Sequence, residues 1–178
     1  QENLEDLLPN NDKRIRYIRL CRTKPMPMGE KRNMCVKEAA HPYIVFMDDD
    51  DHYFPEHVLA RVKTMLTYNA PCVGCDSIAS YNLLNDSSGV LTYGHSFSTE
   101  STLAFHVDCW KERPFCATDQ TGEYRKFLLF RQCVCIPFQF VTVAFEHAWN
   151  TTVRKYNPSP SHDWGMLLLS LIHISEPT

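Results

Sequence analysis

The sequence predicts an α/β fold, and three observations support this prediction. Strand-like and helix-like segments alternate through the first part of the chain, and residues 43–47 form a continuous apolar run. Several short strand-like segments then follow one another with few helical patterns between them. A short apolar run suits a strand that is buried on both faces. The order of the segments is typical of α/β proteins, here with an antiparallel extension.

The first part of the chain contains two predicted strands and two predicted helices. Residues 14–20 alternate basic and mostly apolar side chains, which predicts a half-buried strand. Residues 30–40 predict a short helix that ends before a His-Pro pair. After the strand at residues 43–47, Pro55 occupies the first position of a second predicted helix. The apolar side of that helix is predicted to consist of Val58, Leu59, Val62, Met65 and Leu66.

The second part of the chain is predicted to contain mostly strands. Residues 72–81, 90–93 and 102–106 favour strands, and an Asn-Asp-Ser-Ser-Gly turn separates the first two. Residues 122–131 favour a helix, and residues 138–145 alternate as a further strand does. These segments provide the antiparallel extension of the predicted sheet.

The chain of 178 residues is long enough for one domain with a sizeable core. We predict that this domain covers residues 1–155. Residues 156–178 change in character, from a linker-like "YNPSPSHDWG" to an apolar "MLLLSLIHISEPT" without amphipathic spacing or caps. We interpret residues 156–178 as a linker and a non-native-looking tail, and they do not enter the functional interpretation.

Composition excludes few classes of function but disfavours some partners. A net charge of −3 gives no reason to expect nucleic-acid binding or an anionic membrane surface as a partner. No apolar run is long enough to cross a bilayer, and no signal peptide is visible at the start of the sequence.

Eight cysteines permit either a metal site or free thiols. Cys72 and Cys75 have C-x-x-C spacing, and Cys133 and Cys135 are one residue apart. A zinc site requires these two pairs to meet in space, but the surrounding segments are predicted as strands rather than zinc knuckles. The favoured interpretation is buried free thiols in a reducing compartment, which favours the cytoplasm.

Four consecutive aspartates, residues 48–51, follow the predicted strand at residues 43–47 directly. Ligands of α/β sheets gather beyond the carboxyl ends of the strands. Four adjacent carboxylates repel one another unless a cation neutralises some of them, and oxygen ligands suit Mg²⁺ or Mn²⁺. The alternative is a solvated acidic loop that caps the next helix. That alternative explains one or two carboxylates but not four.

Residues 29–62, "GEKRNMCVKEAAHPYIVFMDDDDHYFPEHVLARV", resemble the core of a family 2 glycosyltransferase with the GT-A fold. That family has a Gly-x-x-Arg-Asn helix start, an apolar strand, a D-x-D motif, an aromatic-rich turn and a proline. The resemblance implies a mixed, mostly parallel sheet flanked by helices. It also implies that the fold is incomplete at the N-terminus, because the family's first nucleotide-binding strands have no counterpart here.

The resemblance implies a nucleotide-sugar site around the aspartate run. The D-x-D motif falls on Asp48 and Asp50, and Asp50 is implied to bind Mn²⁺ or Mg²⁺ that bridges the donor diphosphate. The other implied metal ligands are Asp48, Asp51 and His147, although a lone histidine is more often structural. The implied substrate-binding residues are Lys31, Arg32, Asn33, Asp48 and Asp49. The alternative for the basic residues is a solvated first helical turn, where cations oppose the helix dipole.

The general base is implied to lie in "FCATDQTGEYRKFLLF", residues 115–130, which resembles the family's second acidic motif. Glu123 matches the first acid of that motif, but Tyr124 replaces the second. Asp119 is therefore the alternative base. An ordinary acidic first helical turn also explains Glu123 without a catalytic role.

The resemblance implies a metal-dependent, inverting transfer of a sugar from a UDP- or GDP-linked donor to a hydroxyl of a glycan, protein or lipid. A catalytically inactive binding domain of the same fold is one alternative, which Tyr124 supports. A Mg²⁺-dependent phosphohydrolase is a second alternative, but such an enzyme would spread its acids over several strand ends.

Overall fold

The computed structural model describes residues 9, 12–20, 25–92, 99–148 and 150. The predicted linker and tail, and the domain boundary before them, lie outside the described residues. The helices of the described part are α1 (Met28–Glu38), α2 (His57–Tyr68), α3 (Val107–Glu112) and α4 (Tyr124–Leu128). The strands are β1 (Tyr43–Val45), β2 (His52–Tyr53), β3 (Cys72–Gly74), β4 (Ser77–Asn82), β5 (Ser87–Thr92), β6 (Ala104–His106), β7 (Cys133–Cys135) and β8 (Thr142–Glu146). Two 3-10 turns, Glu100–Thr102 and Phe138–Phe140, complete the described elements.

The strands form two mixed sheets of four strands each, which confirms the predicted α/β class. The first sheet has the order β1-β6-β3-β7 and the second β2-β8-β4-β5. Only the β3–β7 and β4–β8 pairs are parallel within the described sheets, so the parallel share is smaller than predicted. One reason is the four-residue turn at residues 83–86, since so short a connection joins only antiparallel strands.

The prediction of a strand at residues 14–20 is wrong. These residues are described, but none of them belongs to a strand. Their apolar side chains stay exposed: Ile15, Tyr17, Ile18 and Leu20 each keep more than a third of their surface open to solvent. An alternating pattern forms a strand only where a partner strand pairs with it. No strand in the described part of the chain pairs with residues 14–20.

The other predicted elements exist but differ in their limits. The predicted helix at residues 30–40 is α1, and the predicted strand at residues 43–47 is the shorter β1. The segment at residues 72–81 is two strands, β3 and β4, which belong to different sheets. The predicted helix at residues 122–131 is the shorter α4, which is followed by Phe130 with a positive φ of 62°.

Helix α2 buries a different face from the one predicted. It begins at His57, two residues after Pro55, and its buried side chains are His57, Arg61 and Met65. Val58, Leu59 and Leu66 are 44%, 64% and 60% exposed, so most of the predicted apolar side faces solvent.

The physical reason for this reversal is the guanidinium of Arg61, which is fully buried. It donates to the carbonyl oxygens of His57 at 3.1 Å and Phe46 at 3.0 Å. A buried cation is stable only where such acceptors surround it. Helix α2 therefore turns its polar face inward to fix the end of β1.

An aromatic cluster forms the core next to β1 and β6. Phe115 and Phe127 stack with their ring centroids 4.2 Å apart, and Phe105 contacts both rings edge-on. Phe46 joins the cluster from the end of β1. These rings hold α4 and the loop before it against the strand that precedes the aspartates.

The seven cysteines of the described residues are all free. Cys72 and Cys133 lie opposite each other on the parallel strands β3 and β7. The sulfur atoms of Cys72 and Cys109 are 3.9 Å apart, well beyond the roughly 2 Å of a disulfide. No helix within the described ranges is long and apolar enough to cross a membrane.

Candidate active site

The aspartates open into a cleft of about 620 Å³. Its walls are formed by the start of α1, residues 48–50, residues 99–101, and residues 120–125 at the start of α4, together with Ile78 and Asn150. The predicted residues that line this cleft are Lys31, Arg32, Asp48, Asp49, Asp50 and Glu123. The fold therefore brings together basic and acidic groups that are far apart in the sequence.

Arg32 and Glu123 form a buried ion pair at the base of the cleft. The Nε atom of Arg32 lies 2.5 Å from Oε1 of Glu123, and the two side chains are 9% and 3% exposed. A second nitrogen of Arg32 lies 3.6 Å from Oδ1 of Asp48. Burial opposes the charge of Arg32, but Asp48 and Glu123 raise its pKa above the ordinary value. Arg32 thus contacts both Asp48, in the predicted metal motif, and Glu123, the predicted base.

Gly29 explains why the helix that carries Arg32 can approach the loop before α4. A Cβ atom at this position would lie 1.9 Å from the carbonyl oxygen of Cys116. The N–H of Gly29 also donates to the carbonyl oxygen of Asp119 at 3.1 Å. Only glycine permits this contact, which sets the distance between α1 and the segment that leads to Glu123.

Tyr53 fixes the first aspartate. Its hydroxyl oxygen accepts a hydrogen bond from the backbone N–H of Asp48 at 2.8 Å and donates to the carbonyl oxygen of Ser101 at 3.1 Å. Burial raises the pKa of the Tyr53 hydroxyl, so it stays neutral. Arg61 also donates to the Ser101 carbonyl, at 3.4 Å. These hydrogen bonds therefore hold the end of β1 against the turn Glu100–Thr102.

Asp50 meets His147 at the other side of the cleft. Its Oδ2 atom lies 3.2 Å from Nε2 of His147 and 3.3 Å from the side-chain amide nitrogen of Asn150. Asn150 also accepts the backbone N–H of His147 at 2.6 Å. Asp50 and His147, both predicted as metal ligands, are in direct contact across 97 residues of sequence.

Asp49 and Asp51 point to different surroundings. Asp51 accepts the backbone N–H of Phe145 at 3.1 Å, which ties the aspartate run to β8. Asp49 is exposed and lines the cleft. The four carboxylates therefore face four different environments, which reduces the repulsion that adjacent charges would otherwise produce.

Asp50 and His147 provide two of the donor atoms that a divalent cation would need, and bound phosphate and water would have to provide the rest. Among the described residues, no group of three or more His, Cys, Asp or Glu side chains is arranged to hold a metal ion. Mg²⁺ commonly needs only one or two protein carboxylates, since substrate phosphates and water complete its shell. The mixed carboxylate and imidazole pair of Asp50 and His147 suits Mn²⁺ in the same way.

Four predicted site residues lie outside the cleft lining, namely Asp51 and His147, described above, and Asn33 and Asp119. The side-chain amide of Asn33 donates to the Phe115 carbonyl at 2.8 Å, while its oxygen accepts from Trp110 at 2.7 Å. Asp119 forms a 3.0 Å ion pair with Lys126, which lowers its pKa. Asn33 therefore connects α1 to the loop before α4, and Asp119 connects that loop to α4.

Glu100 and Asn150 line the cleft but were not among the predicted site residues. Asn150 belongs to the "HAWN" segment that contains His147, so the same motif contained the signal. Glu100 lies in the hydroxyl-rich stretch "STEST", where no periodicity or spacing indicates a site. Burial raises the pKa of Glu100 to about 7, and repulsion from Glu123 adds to this effect.

His57 provides a pH-dependent contribution to stability beneath the site. Its Nδ1 atom accepts from Arg61, and burial followed by the Arg61 charge lowers the pKa of His57 to about 4. The neutral ring is favoured in the fold, so this contribution is complete above pH 6.5 and is lost as the pH falls toward 4. We expect a loss of about 2 kcal/mol over this interval, less than the full pKa shift implies, because solvent screens part of the interaction.

Urea unfolding at several pH values checks this expectation. His57→Asn keeps an acceptor for Arg61 but does not titrate, so the difference in stability between the two proteins isolates the histidine. A parallel pH dependence in both proteins would show that His57 contributes nothing.

Comparison with known proteins agrees with this geometry. The model of the family described as glycosyl transferase family 2 matches residues 1–123, which is more than half of the chain. The match includes α1, the aspartate run, Glu100 and Glu123. No curated protein matches the chain significantly.

Proposed function

Since this chain belongs to glycosyl transferase family 2 and is therefore a glycosyltransferase of the GT-A fold, we propose a specific reaction for its cleft. The chain moves a sugar from a UDP- or GDP-linked donor to a hydroxyl group of a glycan, protein or lipid. The transfer depends on Mn²⁺ or Mg²⁺ and inverts the configuration at the sugar carbon.

The observation that supports this proposal most directly is the meeting of cations and carboxylates in one cleft. Lys31, Arg32 and Asp50 line the cleft, and Asp50 contacts His147. A nucleoside diphosphate carries charge that needs such cations, and its phosphates supply the ligands that Asp50 and His147 lack for a metal. The cleft therefore offers both the cations and the metal ligands that a diphosphate site needs.

Each residue has a defined part in the proposed reaction. Asp50 and His147 would hold the metal ion, which stabilises negative charge on the leaving diphosphate. Lys31 binds the diphosphate from solvent, whereas the buried Arg32 orients Asp48 and supplies positive potential. Asp49, exposed at the cleft, contacts the substrate.

The resemblance to the family implies a general base at Glu123 or at Asp119. Glu123 lines the cleft, which favours it over Asp119, whose carboxylate is bound by Lys126. The bond from Arg32 engages one oxygen of Glu123, and the two side chains are nearly inaccessible to solvent. This engagement favours a second candidate function, a domain that binds nucleotide sugars without transferring them.

Asp50→Asn is expected to abolish metal-dependent nucleotide binding. Calorimetric titration of UDP and of GDP into the chain, with Mn²⁺ and with EDTA, measures this effect. Loss of the carboxylate should lower the affinity in Mn²⁺ at least tenfold, to the value seen in EDTA, because the metal loses its charged protein ligand.

Asp108→Asn is the matched control, since Asp108 is an exposed aspartate on α3 that pairs with Lys111. It should leave nucleotide affinity unchanged. Equal affinities with Mn²⁺ and with EDTA in the unsubstituted chain would contradict the proposed metal site.

A further inference from the structure

Glu100 occupies a position in the cleft that the assigned site residues do not explain. It begins the 3-10 turn Glu100–Thr102 and lines the cleft together with Arg32, Asp48 and Glu123. Within the described ranges, the carboxylate of Glu100 forms no ion pair, and its hydrogen bond comes from its own backbone N–H. A carboxylate in a substrate cleft that forms no ion pair among the described residues is available for a substrate proton.

The turn that carries Glu100 is held rigidly. The carbonyl oxygen of Ser101 accepts from Tyr53 and Arg61, as described above. The hydroxyl oxygen of Thr102 accepts the backbone N–H of Cys75 at 3.0 Å. These bonds come from β2, from α2 and from the residue that follows β3, so the position of Glu100 relative to the aspartates is fixed before any substrate binds.

The charges around Glu100 favour its protonated form near neutral pH. Burial is the main cause of its raised pKa of about 7, and the carboxylates of Glu123 and Asp48 add to it. The backbone hydrogen bond and the Arg32 charge oppose the shift, and each is a larger effect than that of Asp48. Arg125, on α4, is a further cation that lines the cleft and is influenced by Glu100.

We propose that Glu100 is the general base of this cleft and that Glu123 is a positioning residue that holds Arg32. The assignment rests on the transfer reaction proposed above. It divides the work of two neighbouring carboxylates by their partners: Glu123 is bound to a buried guanidinium, whereas Glu100 forms no ion pair within the described ranges.

The transfer step moves one electron pair and one proton. The acceptor oxygen forms a bond to the anomeric carbon of the sugar while the bond from that carbon to the diphosphate oxygen breaks. The electron pair of the broken bond leaves with the nucleoside diphosphate, and the acceptor proton moves to the carboxylate of Glu100. Glu100 then releases this proton to solvent. A base that titrates near the working pH is efficient in such a step.

The test compares four forms of the full chain: unsubstituted, Glu100→Gln, Glu123→Gln and the control Glu56→Gln, an exposed position just before α2. Two quantities are measured with Mn²⁺ from pH 5.5 to 8.5. Calorimetry gives the affinity for UDP and GDP. Nucleotide release is followed from UDP- and GDP-linked glucose, galactose, mannose and N-acetylglucosamine, with water as acceptor.

We expect Glu100→Gln to keep its nucleotide affinity within threefold while release falls at least 100-fold, the usual contribution of a general base. The rise of release with pH through about 7 should also disappear. Glu123→Gln should instead weaken nucleotide affinity and keep that pH dependence. In Glu100→Ala, added formate should restore part of the release, which a merely structural role of Glu100 would not permit.

Other outcomes overturn the assignment in distinguishable ways. Release by Glu100→Gln at the unsubstituted rate would remove Glu100 from the reaction and leave the transferase proposal intact. Nucleotide binding without release from any donor would favour the binding-domain alternative and exclude a base. An unsubstituted chain that neither binds nor releases nucleotide would overturn the proposed function itself.

Discussion

Arg32→Met is expected to destabilise the folded chain by about 3–5 kcal/mol, because the substitution leaves the Glu123 carboxylate buried without its cation. The expectation rests on the 2.5 Å contact and on the burial of both side chains. Urea unfolding at pH 7 measures the change in the free energy of unfolding.

A double-mutant cycle separates the ion pair from other effects of Arg32. Glu123→Leu alone should also be costly, since it leaves the guanidinium buried beside Asp48 only. The double variant Arg32→Met with Glu123→Leu should be more stable than the sum of the single effects predicts, because both charges are then absent. Additive effects would show that the two side chains do not interact in solution.

Gly29→Ala is expected to cost about 3 kcal/mol, the upper end of the usual range for overpacking. The added methyl group would meet the carbonyl oxygen of Cys116 at 1.9 Å, and a backbone atom cannot move away as a flexible side chain can. The helix α1 must therefore shift away from the loop before α4. Thermal and urea unfolding measure the loss, and UDP titration should show weaker binding because Arg32 shifts with the helix.

Gly122→Ala is the matched control for this substitution. Gly122 has a positive φ of 67°, but the nearest atoms to an added Cβ belong to the Arg125 side chain at 3.6 Å. This variant carries a conformational cost of about 1 kcal/mol without a steric clash. A loss at Gly29 no larger than at Gly122 would contradict the close approach of α1 to the loop.

The sequence predicted which residues meet at the cleft better than it predicted the sheet. The apolar strand before the aspartates and the Gly-x-x-Arg-Asn helix are local patterns, and the structure places both at one cleft. The ion pair between Arg32 and Glu123 spans 91 positions, and no local pattern connects residues so far apart. Glu100 was not predicted for the same reason, since its surroundings come entirely from other segments.

Helix α2 shows why hydrophobic periodicity can choose the wrong face. A count of apolar side chains favours the side with Val58 and Leu66, whereas the structure buries Arg61. The carbonyl oxygens of His57, Phe46 and Ser101 stabilise that guanidinium, and none of these acceptors is visible in the sequence of the helix. Burial also lowers the pKa of Arg61 to about 10, so it keeps its charge at neutral pH.

Because the four aspartates have different partners, the length of the run matters more than any single position in it. Deleting any one of the four gives the same shortened sequence, with three acidic residues left. The chain must then misplace either Asp48 relative to Tyr53 or Asp51 relative to Phe145, because both contacts have a fixed spacing. The aspartate run looks redundant by composition but is therefore intolerant of deletion. Selection on this chain would preserve the spacing between β1 and β2.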